Sequence, residues 1–371
     1  MKLSILLVGD YPADPTLGSS KVFYKLQEEF TSLGHRCDIV FGDEIGGPSS
    51  RQIRQAVSPW YAGRAIAMRQ EGTRYDVVDA ASAEGLWIDR SSAAFVCRSN
   101  GLEHLNYRRM LDDARAGLTR KPWPRRIWYP LSRLTQVERA AKKADRLLLL
   151  NAQDYEYAVR ERWKPADRIE VVAHGVSSRY LHDRPTGELA RGGGLLFCGS
   201  WDHMKGIAYL VAAFERLHAN GRRLALTILG PGVPEATVLA AFAPAVRASV
   251  RVVPRVPEED VIRMYRSHDL LLWTSTYEGF GLVLLEAMSQ ELTVVTTPVG
   301  CAAALVRDGE NGAIVPPRDP AAIAGVVERL MDDPARRRQM GAEAARTVSA
   351  MTWRATAEQT VALYRRAIAS R

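Results

Sequence analysis

Twice along this chain, short apolar runs that stop at turn residues alternate with longer stretches of helical periodicity. The first series is KLSILLVGD, CDIVFG, YDVVDA, AAFVCRS, DRLLLLNA and RIEVVAHG. The second is LLFCGS, LALTILGPG, VRVVPRV, DLLLWTST, LTVVTTPVG and GAIVPP. Aliphatic runs without polar alternation suit strands covered on both faces, the pattern of parallel sheets. SSKVFYKLQEEFTSLGH illustrates the covering helices. Its Val22, Phe23, Leu26, Phe30 and Leu33 recur at helical spacing, with Ser19 or Ser20 as N-cap and Gly34 as stop. Between the two series, HDRPTGELARGGG lapses into charge, proline and glycine, a linker composition. At 371 residues the chain exceeds one ordinary core. The expectation is an α/β protein of two Rossmann-like, doubly wound parallel-sheet domains at residues 1–182 and 195–348. A linker at 183–194 joins them, and a closing helix occupies 349–371.

Some classes are disfavoured at once. No apolar run approaches the roughly 20 residues needed to cross a bilayer. The opening MKLSILLVGDYP meets Gly9 and Asp10 directly, which reads as a first strand and its loop, not a signal peptide. Cys37, Cys97, Cys198 and Cys301 lie far apart with no C-x-x-C pair, the usage of a reducing cytoplasm without disulfide framework or zinc site.

The net charge of +8 has an address. Residues 108–146 hold twelve Arg or Lys against four acids, and elsewhere the charges cancel. Within that segment Trp123, Trp128 and Tyr129 stand among arginines, a composition suited to an anionic membrane surface or a phosphate-bearing acceptor. A simply solvated basic helix is the plainer reading. No nucleic-acid recognition module is legible.

The stretch TYEGFGLVLLEAMSQ sets Glu278 in a loop and Glu286 in the second turn of a helix beginning near Gly281. A helix start offers free N–H groups and partial positive charge, and Gly279 and Gly281 let a ligand approach the backbone. Structural carboxylates are also common there, so spacing alone decides nothing. The full run Glu278-Gly279-Phe280-Gly281 followed by Glu286-Ala287-Met288 resembles the signature of the retaining GT-B glycosyltransferases of family 4. With Lys205-Gly206 after LLFCGS and the loop YPADPTLGSSKV near the N-terminus, the resemblance covers nearly the whole chain.

The resemblance implies a GT-B architecture, two domains facing a central cleft, with the final helix returning to the first. It implies a nucleotide-sugar co-substrate of UDP or GDP type and no permanently bound cofactor or metal. Glu286 would bind ribose hydroxyls and Glu278 the sugar, with Lys205 neutralising the leaving diphosphate. Phe280, Gly281 and Leu282 would offer backbone to sugar and phosphate oxygens, with Gly199, Ser200 and Gly230 lining the nucleotide. Arg255 and Val256 would face the base, and Gly18 and Ser19 the phosphates and acceptor. The implied reaction is front-face transfer with retention, to a glycan, lipid-linked or small-molecule acceptor. Cysteine usage and the composition of 108–146, read above, give the expected setting: cytoplasmic, with peripheral inner-leaflet association through that segment.

Three positions depart from the family pattern: Asn100 stands where a histidine is usual, Ser200 for an arginine and Ala304 for a glutamate. Asn100 keeps hydrogen-bonding capacity for the donor sugar but cannot titrate; His104, four residues on, is the alternative imidazole. The departures keep open a catalytically weakened nucleotide-sugar-binding partner subunit. An epimerase on the same architecture accounts less well for the motif.

Overall fold

The computed structural model describes residues 2–15, 17–119, 123–182 and 191–371. Six strands, Ser4–Val8 (β1), Arg36–Val40 (β2), Val77–Ala81 (β3), Ala94–Arg98 (β4), Arg146–Leu149 (β5) and Ile169–Val171 (β6), make one sheet in the order β2-β1-β3-β4-β5-β6. Leu195–Cys198 (β7), Leu226–Leu229 (β8), Val250–Val253 (β9), Leu270–Trp273 (β10), Thr293–Thr296 (β11) and Ala313–Ile314 (β12) make a second, ordered β12-β11-β10-β7-β8-β9. All pairings are parallel, from Ile5 beside Cys37 and Val77 to Leu270 beside Leu195 and Thr293. Each apolar run of the sequence thus forms a strand, because helices on both faces remove its side chains from water. In each sheet the chain reverses direction of travel once, between β1 and β3 and between β7 and β10. Such switch points open a crevice outside the carboxyl ends of the strands.

The chain divides into two compact units: Met1–Arg108 with Thr119–Gly175 and Trp353–Arg371, and Arg109–Leu118 with Val176–Thr352. In the first, the closing helix Trp353–Ala369 packs on the helix Gly18–Ser32, with the Phe30 and Tyr364 rings 5.8 Å apart. Beneath it lies an ion pair with both side chains 0% exposed, Arg98 of β4 donating to Asp79 of β3 at 2.6 Å. The Tyr364 hydroxyl donates to the same Asp79 carboxylate at 2.5 Å. Desolvating such a pair is costly, so its three-way bonding ties helix to sheet more than it adds net stability.

One expectation changes, that of the first helix's N-cap. The helix Gly18–Ser32 has Leu17 as N-cap with no side-chain cap, and the Ser20 hydroxyl donates instead to the Pro12 carbonyl at 2.7 Å. Gly34 does end the segment, at φ +81°. Of the linker expected at 183–194, residues 183–190 lie outside the described residues, and Arg191 is no free linker residue. Its guanidinium donates to the carbonyls of Tyr265, His268, Gln290 and Glu291.

Within 108–146 several cations have partners in the fold. Arg109 pairs with Asp113, Arg115 with Asp112, Lys142 with Glu138, and Arg146 with Glu170. Arg133 is held between Glu84 at 3.0 Å and Glu103 at 2.9 Å, and Lys143 donates to the carbonyls of Leu86 and Ile88. Residues 120–122 lie outside the described residues. The excess of +8 already counts the segment's own acids; from outside, Glu84, Glu103, Glu161 and Glu170 offset part of it.

Candidate functional site

In the second unit the loops leaving β7 and β10, neighbours at the switch point, converge. After β7, Asp202 caps a short turn, His203–Lys205, by accepting from the Met204 N–H at 2.8 Å. Gly206 follows at φ +70°, and a Cβ there would sit 1.9 Å from the Thr274 carbonyl oxygen. Only glycine permits this approach. The loops are then sewn together: Thr274 Oγ1 donates to the Lys205 carbonyl at 2.9 Å, and the Thr276 N–H to that of Met204 at 2.8 Å.

This sewing delivers Lys205 to Glu278. The ammonium donates to Glu278 Oε1 at 2.5 Å, and the Ser275 hydroxyl donates to the same oxygen at 2.8 Å. Glu278 is 5% exposed, so its charge is compensated by a cation and a hydroxyl inside the fold. Sequence reasoning gave the two residues separate tasks; the structure makes them one pair, 73 positions apart in the chain. Ser275 was missed, although it stands in the same short loop.

Gly281, at φ +103°, caps the helix Leu282–Ser289, and a Cβ there would meet the Trp273 ring at 2.4 Å. The buried Phe280 carbonyl accepts from the Cys301 N–H at 2.7 Å, which anchors the turn before the helix. Leu282, half-buried, opens the helix, where first-turn N–H groups have no intrahelical acceptor. Glu286 lies one turn further on, 8% exposed. Its carboxylate accepts from the Tyr265 hydroxyl at 3.4 Å, and the Tyr180 hydroxyl is hydrogen-bonded to it as well. Neither tyrosine carried a sequence signal, since Tyr265 reads as one apolar position of an amphipathic helix.

Most of the other expected residues of this unit stand just after strands of the same sheet. Gly199, just after β7 at φ +141°, has the Lys205 Cε as the nearest atom to a Cβ placed there, 3.9 Å away. Ser200 beside it is exposed. Gly230 follows β8, and the exposed Arg255 follows β9 with Val256 half-buried beside it. A Cβ on Gly230 would lie 3.7 Å from Arg255 Cγ, and one on Gly232 3.6 Å from its Nη2. Arg255 thus lies along both glycines. Ala304 is exposed on the short helix Ala302–Leu305.

Asn100, Gly18 and Ser19 belong to the first unit, around its own switch point. Asn100 follows β4 and donates from Nδ2 to the Tyr11 hydroxyl at 2.9 Å; Tyr11 follows β1. Burial pushes the Tyr11 phenol well above its usual range, so it stays protonated. Gly18 begins its helix with open space where a Cβ would stand, so nothing in the protein demands glycine there, and Ser19 is half-buried. His104 is no substitute for the missing histidine: it packs edge-on to Trp163 at 4.8 Å and near Tyr157 at 5.8 Å, and burial lowers its pKa. Among the described residues no group of three or more His, Cys, Asp or Glu could hold a metal ion.

Residues 190–347 match the family model described as Glycosyl transferases group 1. A D-inositol 3-phosphate glycosyltransferase of Thermomonospora curvata is 30% identical over 260 residues, spanning 63% of this chain and 60% of the relative, under two thirds of its length. A relative in Catenulispora acidiphila, D-inositol 3-phosphate glycosyltransferase 1, is 28% identical over 353 residues, spanning 90% of this chain and 82% of that one. Among solved structures, the sucrose-phosphate synthase of Thermosynechococcus elongatus superposes over 100% of both chains with a TM-score of 0.80 at 20% identity. Two parallel six-stranded sheets in tandem with this likeness are the GT-B architecture.

Proposed function

We propose, from the match of residues 190–347 to the glycosyl transferases group 1, that the chain is a retaining glycosyltransferase using a UDP- or GDP-type nucleotide sugar. The acceptor is a glycan, lipid-linked or small hydroxyl compound. Relatives named for transfer to inositol 3-phosphate support a polyhydroxyl acceptor. The observation that carries the reading is the Lys205–Glu278 contact of 2.5 Å, set at the switch point in the loop just before the helix that carries buried Glu286. Lys205 and Ser275 both meet Glu278 Oε1, and the other carboxylate oxygen, Oε2, is the one a donor-sugar hydroxyl would reach.

In this reading Glu286 accepts from the ribose hydroxyls and Glu278 from the donor sugar. An ammonium has three protons, so Lys205 bonded to Glu278 keeps two for the diphosphate. Backbone at Phe280, Gly281 and Leu282 and the loops of Gly199, Ser200 and Gly230 border the phosphates and nucleotide, with Arg255 and Val256 toward the base. From the first unit, Gly18, Ser19 and Asn100 serve donor and acceptor. The acceptor oxygen bonds to the anomeric carbon on the face from which the diphosphate departs, and the departing phosphate oxygen takes the acceptor's proton. No protein nucleophile and no metal enter; orientation and neutralisation of the leaving group supply the catalysis.

Peripheral binding to an anionic membrane belongs to the same proposal. Among the described residues no helix is long and apolar enough to cross a membrane. However, Ile127, Trp128 and Leu131 are 47%, 62% and 70% exposed, beside exposed Arg126. Apolar wedges next to cations suit an interface. Co-sedimentation with anionic but not neutral vesicles, reduced by Trp128→Ala, supports it; pelleting with neither, or equally with both, rejects it.

Incubation with a panel of nucleotide sugars, read by NMR at the anomeric proton, tests the activity. Transfer or slow hydrolysis with retained configuration is expected. Binding without turnover supports the partner-subunit reading, an isomerised sugar supports an epimerase, and inverted product refutes the mechanism.

A further inference from the structure

We propose that Tyr180 and Tyr265 are positioning residues that hold the Glu286 carboxylate in the orientation in which it reads a ribose. The proposal rests on the reading above that Glu286 meets the nucleotide's sugar. Tyr265 is fully buried on the helix Glu258–Ser267, and Tyr180 is buried in the short helix Ser178–His182. Their rings lie 6.3 Å apart. The Tyr265 hydroxyl is 3.4 Å from Glu286 Oε2 and 3.6 Å from Cys198 Sγ, at the end of β7 beside Gly199. Tyr180 is itself tied down, its carbonyl accepting from Gln290 Nε2 at 2.6 Å, and Gln290 lies just beyond the helix that carries Glu286. Helix, strand end and the chain segment entering the unit are thereby linked through one carboxylate.

Two phenols of this kind do what a lysine or arginine would not. Burial and the adjacent carboxylate push both well above the usual tyrosine range, so each remains a neutral donor at any pH the protein meets. They fix the plane of the carboxylate without cancelling its charge. A charged acceptor with defined lone-pair directions is what vicinal ribose hydroxyls require. Without the phenols the side chain gains rotamers, and a share of its affinity for the diol is lost to ordering.

The test is calorimetric binding of UDP and GDP, each against its 2′-deoxy counterpart, to wild type, Tyr180→Phe and Tyr265→Phe. Phenylalanine keeps the ring, so packing survives. We expect wild type to favour the ribonucleotide by roughly 10-fold or more, and each variant to lose about 3- to 10-fold of that preference with little change toward the deoxy form. Equal weakening toward both forms, or no change in preference, overturns the proposal. Glu286→Gln separates it from its premise. If that variant keeps the wild-type preference, the ribose assignment itself fails. If it abolishes the preference while both phenylalanine variants retain it, only the positioning role fails.

Discussion

Lys205→Ala removes the cation from a nearly buried carboxylate, and its cost follows from the geometry. The side chains of Lys205 and Glu278 are 19% and 7% exposed, and the charged atoms are 2.5 Å apart. With an effective dielectric of about 20, the direct attraction at that distance is about 7 kcal/mol, most of which desolvation offsets. Removing one partner strands the other, a change that typically costs about 3–5 kcal/mol. Ser275 still donates to Glu278 at 2.8 Å, which places the expected loss at the lower end, about 3 kcal/mol. For a unit of this size that is a fall of roughly 6–12 °C in Tm. Glu278→Gln in the same background removes the uncompensated charge, and the double variant should recover about 2 kcal/mol. Scanning calorimetry of the four proteins in the cycle measures these values. Turnover should fall about 10²- to 10³-fold in both lysine variants, because loss of leaving-group neutralisation is not repaired by the amide. A single variant within 0.5 kcal/mol of wild type, or a double variant no more stable than the single (about 0 rather than 2 kcal/mol recovered), would refute the electrostatic coupling.

Four further outcomes follow from the same structure. Glu286→Ala should weaken nucleotide diphosphate binding about 10- to 100-fold by calorimetry, the worth of one hydrogen-bonded charge, with a smaller effect on Tm. Gly206→Ala should cost about 3 kcal/mol or more in urea unfolding and abolish transfer, since a Cβ 1.9 Å from the Thr274 oxygen pushes the Lys205 loop off β10. Tyr364→Phe should cost about 1–3 kcal/mol and speed hydrogen exchange in Trp353–Ala369, because Asp79 loses a donor it accepts at 2.5 Å. His174 is packed against the Trp353 ring, and burial, with Arg98 nearby, lowers its pKa to about 3. The unfolded chain binds a proton at His174 below about pH 6.5 and the folded one does not, so its share of stability is present above that pH. Between pH 6.5 and 3 wild type should therefore lose about 1.4 kcal/mol per pH unit relative to His174→Phe; parallel curves would reject this.

Much was legible in local pattern. KLSILLVGD and LTVVTTPVG lie where strands lie, because an aliphatic run covered on both faces must be hydrophobic throughout. Gly34 and Gly206 mark backbone that other residues adopt only under strain. Glu278 and Glu286 were singled out by the motif they share with a known family, since their spacing alone decided nothing, and both side chains are buried. The N-cap of the helix Gly18–Ser32 was misread because Ser20 found a better partner in the Pro12 carbonyl, eight residues away. The partners of the basic segment were not legible for a related reason: a charge count carries no distances, and Glu84, Glu103 and Glu170 reach Arg133 and Arg146 only in the folded chain.

By itself the sequence determined the strands, the helices that cover them, and where carboxylates and glycines meet strand ends, since each is written within a few turns of chain. Tertiary structure alone decided who bonds whom: Lys205 with Glu278, Tyr180 and Tyr265 with Glu286, and Tyr364 with Asp79 across 285 positions. Burial makes each of those partners necessary, and only chain closure chooses which residue stands within 3 or 4 Å to fill the need.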